Sequence, residues 1–299
     1  MTEPIVVGVD GSPESVAAAH WAAAVAQKYG APLELVHGSP GTGRRLADAA
    51  MAIRAAVLAA HEADGAEILR SVEDGLRAEF GDLEVITLTS DEPIDQLLTA
   101  RSRVAQLIVL GSEEITPPRA VLVGSTTLAV AGCSACPVLA WRGDHTTPTD
   151  RRIVLGVDGD RTGTAALQAA FAFAERFGVE IYAVHCWSPW VPPVGAIVPP
   201  YAVDWDGLET LKWESLLKLL EPWTQLYPTV AVKYFVEHLS PGKALLEHTK
   251  DAQLVVVGSR GRDALAGTLL GSVSQNLLHH AQVPVMVCPS DSQVTDVSR

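Results

Sequence analysis

Aromatic residues are scarce in this sequence, 6% of 299 positions, and charged residues reach only 19%. Cysteine occurs four times, too rarely to staple a chain of this length, which excludes a disulfide scaffold. Basic residues are outnumbered, 22 Lys and Arg against 35 Asp and Glu, for a formal net charge of −13. A field of that sign repels a duplex phosphate backbone and an anionic membrane alike, so neither nucleic acid nor membrane is an expected partner. No run reaches the ~18 consecutive apolar residues of a membrane helix. The opening stretch has no basic segment ahead of a long apolar one, so no signal peptide is expected, and the expected location is cytoplasmic. What the chain does have is a 48% share of hydrophobic residues, which rules out disorder and provides for a large packed core.

The sequence is one pattern written twice. Ile5-Val-Val-Gly-Val-Asp10-Gly11-Ser12 returns as Ile153-Val-Leu-Gly-Val-Asp158-Gly159-Asp160, 148 positions on (5 to 153). Leu33-Glu-Leu-Val-His37 returns as Ile181-Tyr-Ala-Val-His185, again at 148 (33 to 181). Leu107-Ile-Val-Leu-Gly111-Ser112 returns as Leu254-Val-Val-Val-Gly258-Ser259, at 147 (107 to 254). A period this long is not that of a solenoid, whose units run ~20–50 residues, but of a duplicated domain. The boundaries expected are 1–143 for the first copy and 151–290 for the second. The polar, Gly- and Pro-bearing stretch 144–150 between them reads as a linker.

Within each copy, short β-branched runs alternate with longer helical patterns. In copy one, strands are expected near 5–9, 33–37, 83–89, 106–110 and 136–141. Helices are expected over 13–29, 45–80, 93–103 and 124–133. Strands buried on both faces and separated by helices imply a parallel sheet with right-handed crossovers. The fold class is therefore α/β: two tandem doubly wound five-stranded parallel sheets, each a Rossmann-like or flavodoxin-like sandwich. Such sheets bind ligands beyond the carboxyl ends of their strands.

The residues that could do so follow strands one and four. In copy two Gly258-Ser-Arg-Gly261 is followed by nine residues and then Gly271-Ser272-Val273 at a helix start. Glycine lets backbone approach a ligand closely, and amides at the turn and helix N-terminus suit phosphate oxygens. Arg260 or Arg262 supplies positive charge, and Asp158 an acceptor for a ribose hydroxyl or an exocyclic amine. Copy one keeps Asp10, Gly111, Gly124, Ser125 and Thr126. Glu114 replaces the second glycine, and Glu113 stands where copy two has Arg260. Like charges at ~4 Å in a partly exposed setting cost a few kcal/mol, so copy two is expected to bind the tighter.

The spacing Gly-x2-Gly-x9-Gly-Ser after an apolar strand, with Val-Asp-Gly after the first strand, resembles the universal stress protein family across both halves, in the tandem form common in actinobacteria. The resemblance implies strand order 3-2-1-4-5 and ATP, with Mg2+, in the crevice. The implied site is Gly8, Val9, Asp10, Gly38, Gly111, Gly124, Ser125 and Thr126 in copy one. In copy two it is Gly156, Val157, Asp158, Cys186, Gly258, Ser259, Arg260, Gly261, Gly271, Ser272 and Val273. Gly38 and Cys186 would border the adenine, the strand-one aspartates the adenosine, and the Gly-Ser turns the triphosphate. The family also implies a nucleotide-dependent regulator in stress or dormancy adaptation, and a homodimer paired through last-strand edges. The alternative is a slow ATPase or an adenylyl-transfer enzyme, although the motifs place no catalytic residue.

Other patterns read as structural. Gly38-Ser-Pro-Gly-Thr-Gly43-Arg44-Arg45 lacks the lysine and Ser/Thr of a P-loop. Cys133-Ser-Ala-Cys136 has no second pair to complete a zinc site and reads as a buried pair. His37 and His185 end equivalent strands and are expected to pair with backbone rather than metal.

Overall fold

The computed structural model describes residues 2–39, 51–115, 120–122, 124–159, 163–187, 204–259 and 270–290. The first copy contributes strands β1 (Ile5–Gly8), β2 (Leu33–Ser39), β3 (Val85–Pro93), β4 (Leu107–Gly111) and β7 (Val138–Trp141). Its helices are α1 (Pro13–Tyr29), α2 (Met51–Glu79), α3 (Ile94–Arg101) and α4 (Ser125–Cys133). A short pair, β5 (Glu113–Ile115) and β6 (Ala120–Leu122), lies between β4 and α4. The second copy has strands β8 (Ile153–Val157), β9 (Ile181–Cys186), β10 (Val232–Glu237), β11 (Leu254–Gly258) and β12 (Val285–Cys288). Its helices are α5 (Thr164–Phe177), α6 (Trp205–Leu226), α7 (Pro241–His248) and α8 (Ser272–His280).

The strands form one ten-stranded sheet in the order β10-β9-β8-β11-β12-β7-β4-β1-β2-β3. Read inward from either edge, each copy has the expected order 3-2-1-4-5, and within each copy's half of this sheet every pairing is parallel. The copies meet where β7 and β12 pair antiparallel, Leu139 opposite Met286. This corrects the expectation of a homodimer built on last-strand edges. Both of those edges are consumed by each other inside one chain, because duplication places them within reach of a single linker. The strand edges still open at the ends of the sheet are β3 and β10.

Alternation along the strands assigns the core to two layers. Ile5, Val7, Leu107, Val109, Leu139, Met286 and Cys288 face helices α1, α2, α5 and α6. Val6, Ile108, Leu110, Val138, Val285 and Val287 face α3, α4, α7 and α8. Each layer holds residues of both copies, so the hydrophobic core runs unbroken across the seam. Across it Trp21 of α1 stacks on Phe173 of α5 at 6.2 Å, and the Arg176 guanidinium sits 5.1 Å from the centre of the Tyr29 ring. The expected linker is tied to copy two: the Thr149 amide donates to the Gln253 side chain at 2.8 Å, and Gln253 Nε2 donates back to the Thr149 carbonyl at 2.7 Å.

Three local expectations change. β3 extends to Pro93 rather than ending near residue 89. As an edge strand it is half-exposed along its length, so its register leaves no clean apolar alternation to read. The CxxC pair splits: Cys136 is buried but Cys133, in the last turn of α4, is exposed. The stretch after β4 in copy one is not a plain turn but the β5–β6 hairpin, pairing Glu113 with Leu122 and Glu114 with Val121.

Among the described residues, no helix is long and apolar enough to cross a membrane. The P-loop-like run beyond Ser39, Arg262, and the expected site residues Arg260 and Gly261 lie outside the described residues.

Candidate nucleotide site

In each copy the first strand lies between the second and the fourth, and its two crossovers leave in opposite directions. The carboxyl ends of these three strands therefore border a crevice. In copy one they deliver Gly8 at the end of β1 with Val9 and Asp10 just after it, Gly38 near the end of β2, and Gly111 at the end of β4. Copy two delivers Gly156, Val157 and Asp158, then Cys186, then Gly258 and Ser259.

The strand-one loop is held from the second strand by histidine. His37 Nδ1 lies 2.8 Å from the Val9 carbonyl and His185 Nδ1 2.9 Å from the Val157 carbonyl. Both rings are buried. These are the backbone partners the sequence reading expected. Each fixes the residue immediately before the strand-one aspartate, so the aspartate starts from a rigid point. Among the described residues, no group of three or more His, Cys, Asp or Glu is placed to hold a metal ion.

Asp10 is engaged by the turn that follows it. Asp10 Oδ1 accepts from the Ser12 amide at 2.9 Å and the Ser12 hydroxyl at 2.6 Å. Gly11 allows this turn with φ +84°. Burial by itself would raise the Asp10 pKa, but the hydrogen bonds from Ser12 and Ser15 outweigh it and hold the carboxyl below its ordinary value. Ser12 also caps α1, accepting from the Ser15 amide at 3.2 Å. Asp10 is thus engaged in starting a helix.

The glycines serve different physical ends. A Cβ on Gly111 would lie 2.6 Å from the Glu14 carbonyl group and 2.7 Å from the Ser15 nitrogen, so β4 ends in direct contact with the backbone of the first turn of α1. A Cβ on Gly38 would meet the Ile94 Cα at 3.0 Å, at the start of α3. Gly124 has open space around it. Packing does not require a glycine there.

At the end of β11 the motif closes on itself. The Gly271 amide donates to the Ser259 carbonyl at 2.7 Å, and the Ser274 hydroxyl donates to the Gly258 carbonyl at 2.6 Å. Ser259 in turn donates its amide to the Cys288 carbonyl at 2.7 Å. These bonds bring the first and last glycines of the motif together and tie the start of α8 to the end of β11. The first intrahelical bond of α8 runs from Gln275 to Gly271, which leaves the amides of Ser272, Val273 and Ser274 without an intrahelical acceptor. Ser272 is exposed and Val273 half-buried. In copy one the first bond of α4, from Leu128 to Gly124, leaves Ser125, Thr126 and Thr127 in the same condition. There, however, the preceding loop is committed to the β5–β6 hairpin.

Sequence reasoning missed the Ser274 tie and the hairpin. A serine three residues into a helix is a signal available in the sequence. The hairpin has one too, in β-branched residues flanking Pro117-Pro118.

Comparison with known proteins places this geometry. The family model described as "Universal stress protein family" matches residues 1–142 and again 150–289. A universal stress protein of Mycolicibacterium smegmatis is 35% identical over 289 residues, covering 95% of this chain and 96% of that protein. One from Mycobacterium tuberculosis is 35% identical over 306 residues, with the same two shares. The crystal structure of a universal stress protein from Archaeoglobus fulgidus superposes with a TM-score of 0.71 at 19% identity, over 96% of this chain and 98% of that one, a likeness of fold. With both halves matched by one family model and relatives aligned almost end to end, the chain belongs to the universal stress protein family.

Proposed function

We propose that this protein binds ATP, accompanied by Mg2+, in the crevice of copy two, more tightly than in copy one. On this reading it acts in the cytoplasm as a nucleotide-dependent regulator in stress or dormancy adaptation. The observation that carries the reading is the closed loop between β11 and α8. Hydrogen bonds from Gly271 and Ser274 draw the helix start onto the strand end, and the amides of Ser272 and Val273, which have no intrahelical acceptor, suit an anion there. Asp158, at the end of the neighbouring strand, is positioned for the adenosine. The net charge of −13 makes backbone donors the natural means of holding a polyphosphate in this molecule. With no cluster of metal ligands among the described residues, magnesium would arrive held by phosphate oxygens and water, its usual manner with nucleotides. Copy one has the same kind of helix start, but Glu113 and Glu114 occupy the strand after β4.

Calorimetric titration of ATP into Asp10→Ala and Asp158→Ala tests the reading. The larger affinity loss is expected from Asp158→Ala, and a larger loss from Asp10→Ala would overturn the assignment. Mass analysis of nucleotide released on denaturing freshly purified protein gives an independent readout, and incubation with Mg-ATP separates retention from hydrolysis.

A further inference from the structure

Arg142, the first residue after β7 in copy one, is 1% exposed. It reaches across the seam into copy two. Its Nη1 donates to the Leu278 carbonyl at 2.7 Å and to the Ala281 carbonyl at 3.1 Å. Leu278 lies in the last turn of α8 and Ala281 is its C-cap. The last carbonyls of a helix have no intrahelical donor, and a cation there is the complement of the helix dipole. The helix so capped from copy one is the one whose other end presents the open amides of Ser272 and Val273.

The arrangement is one-sided. At the offset of 147 that relates the last strands, the counterpart of Arg142 is Pro289 (142 to 289). Proline has no side-chain donor to return to α4, the matching helix of copy one. A second copy-one element, strand β6 of the hairpin, also runs against α8. So the copy whose glycine motif is intact receives support from the other copy, while at the counterpart position the return contact is not available from proline.

Resting on the reading of copy two as the nucleotide site, we infer that Arg142 is a positioning residue for that site. Copy one, through this guanidinium, holds the phosphate-binding helix of copy two in its productive orientation. A helix of nine residues is about 14 Å long. Pinned at its start by Ser274 to Gly258 and at its end by Arg142, it has little freedom to tilt. Released at the end, it keeps only its own copy's anchor, and the amides at its start lose their fixed aim. Only the phosphates meet those amides, so the effect should fall on the phosphates and not on the base or ribose.

The test compares ATP and adenosine binding to the full chain and its Arg142→Met and Arg142→Lys variants, alongside hydrogen exchange of the Gln275–Leu278 amides without nucleotide. Met keeps an apolar stem in the buried space and removes the donor. The expected result for Arg142→Met is an ATP Kd raised roughly three- to tenfold, in line with the weight of a partly buried helix-end cation. Its adenosine Kd should stay within about twofold, and its α8 amides should exchange faster. Arg142→Lys, with one point charge in place of the fork, should recover part of the ATP affinity. Equal weakening toward ATP and adenosine would mark a merely structural role and overturn the inference, as would unchanged ATP affinity in both variants. Should Arg142→Met not fold, the same ATP-against-adenosine contrast in Arg142→Lys decides. Wild-type protein with no affinity for ATP would instead overturn the functional reading, and is recognised before any variant is made.

Discussion

Gly111 and Gly124 belong to the same motif, yet their surroundings require opposite responses to a methyl group. At Gly111 the added carbon would stand 2.6 Å from the Glu14 carbonyl carbon and oxygen and 2.7 Å from the Ser15 nitrogen. These are backbone atoms in the first turn of α1 and have no rotamer by which to move aside. The turn they belong to also holds the Ser12 cap and the Asp10 carboxylate, so a shift there breaks several hydrogen bonds at once. Forced overpacking costs about 1–3 kcal/mol, and contact with fixed backbone places Gly111→Ala at the upper end, about 2–3 kcal/mol. At roughly 2–4 °C per kcal/mol for a chain of this size, the loss in melting temperature is about 4–12 °C. Gly124 has no atom within 4 Å of the same added carbon, and its φ of −59° and ψ of 147° suit any residue. There the loss of unfolded-state entropy favours alanine by about 0.4–1 kcal/mol, against a comparable loss from placing alanine at an N-cap. Gly124→Ala should melt within about 2 °C of wild type. Scanning calorimetry of the two variants beside wild type is sufficient. A Gly111→Ala protein as stable as wild type, or a Gly124→Ala protein equally damaged, would show that the contacts have been misread.

Two further outcomes follow from the titrating groups. Burial raises the Cys136 thiol to about 12 and lifts Cys288 higher still, while Cys133 is the exposed cysteine. A disulfide reagent at pH 8 should therefore label one thiol per native chain rapidly and all four after denaturation; two or more fast thiols in the native state would contradict the burial. For Asp10, the folded-state pKa is depressed, so its stabilising contribution is present above its unfolded value near ~3.9 and fades as pH falls through the folded one. The gap in urea midpoint between wild type and Asp10→Asn should accordingly be open at pH 7 and narrow by pH 3, and a gap that widens toward acid would refute the assignment.

The order of strands and helices was legible because β-branched runs such as Ile5-Val-Val and Leu254-Val-Val-Val are buried on both faces and leave an unbroken apolar signature. The positions of Asp10, Asp158 and the motif glycines at strand ends followed from that order. Other features depend on pairs of residues far apart in the chain, which periodicity does not report. Glu34, buried on β2, is paired with Arg101 Nε at 3.1 Å across 67 positions. The second copy places Tyr182 and His248 at the corresponding sites, with their rings 6.4 Å apart. Neither half of such an exchange can be read without the other. The antiparallel meeting of β7 and β12 was expected between chains because strand type alone says nothing of which edge is nearest. Arg142 stands at the head of the polar stretch that runs into the linker, and only the packed seam reveals that its side chain turns inward.

That seam has a bearing on how occupancy is counted. In a pair of identical units related by a twofold axis, any substitution is imposed on both crevices, and partial filling is an average over a population. Here the twofold is only approximate and is contained in one polypeptide, so each crevice is free to change by itself. Glutamates can settle in one while the glycines of the other are kept, and on the reading proposed above a difference in nucleotide affinity between the two crevices then becomes an inherited trait, reproduced in every copy the ribosome makes.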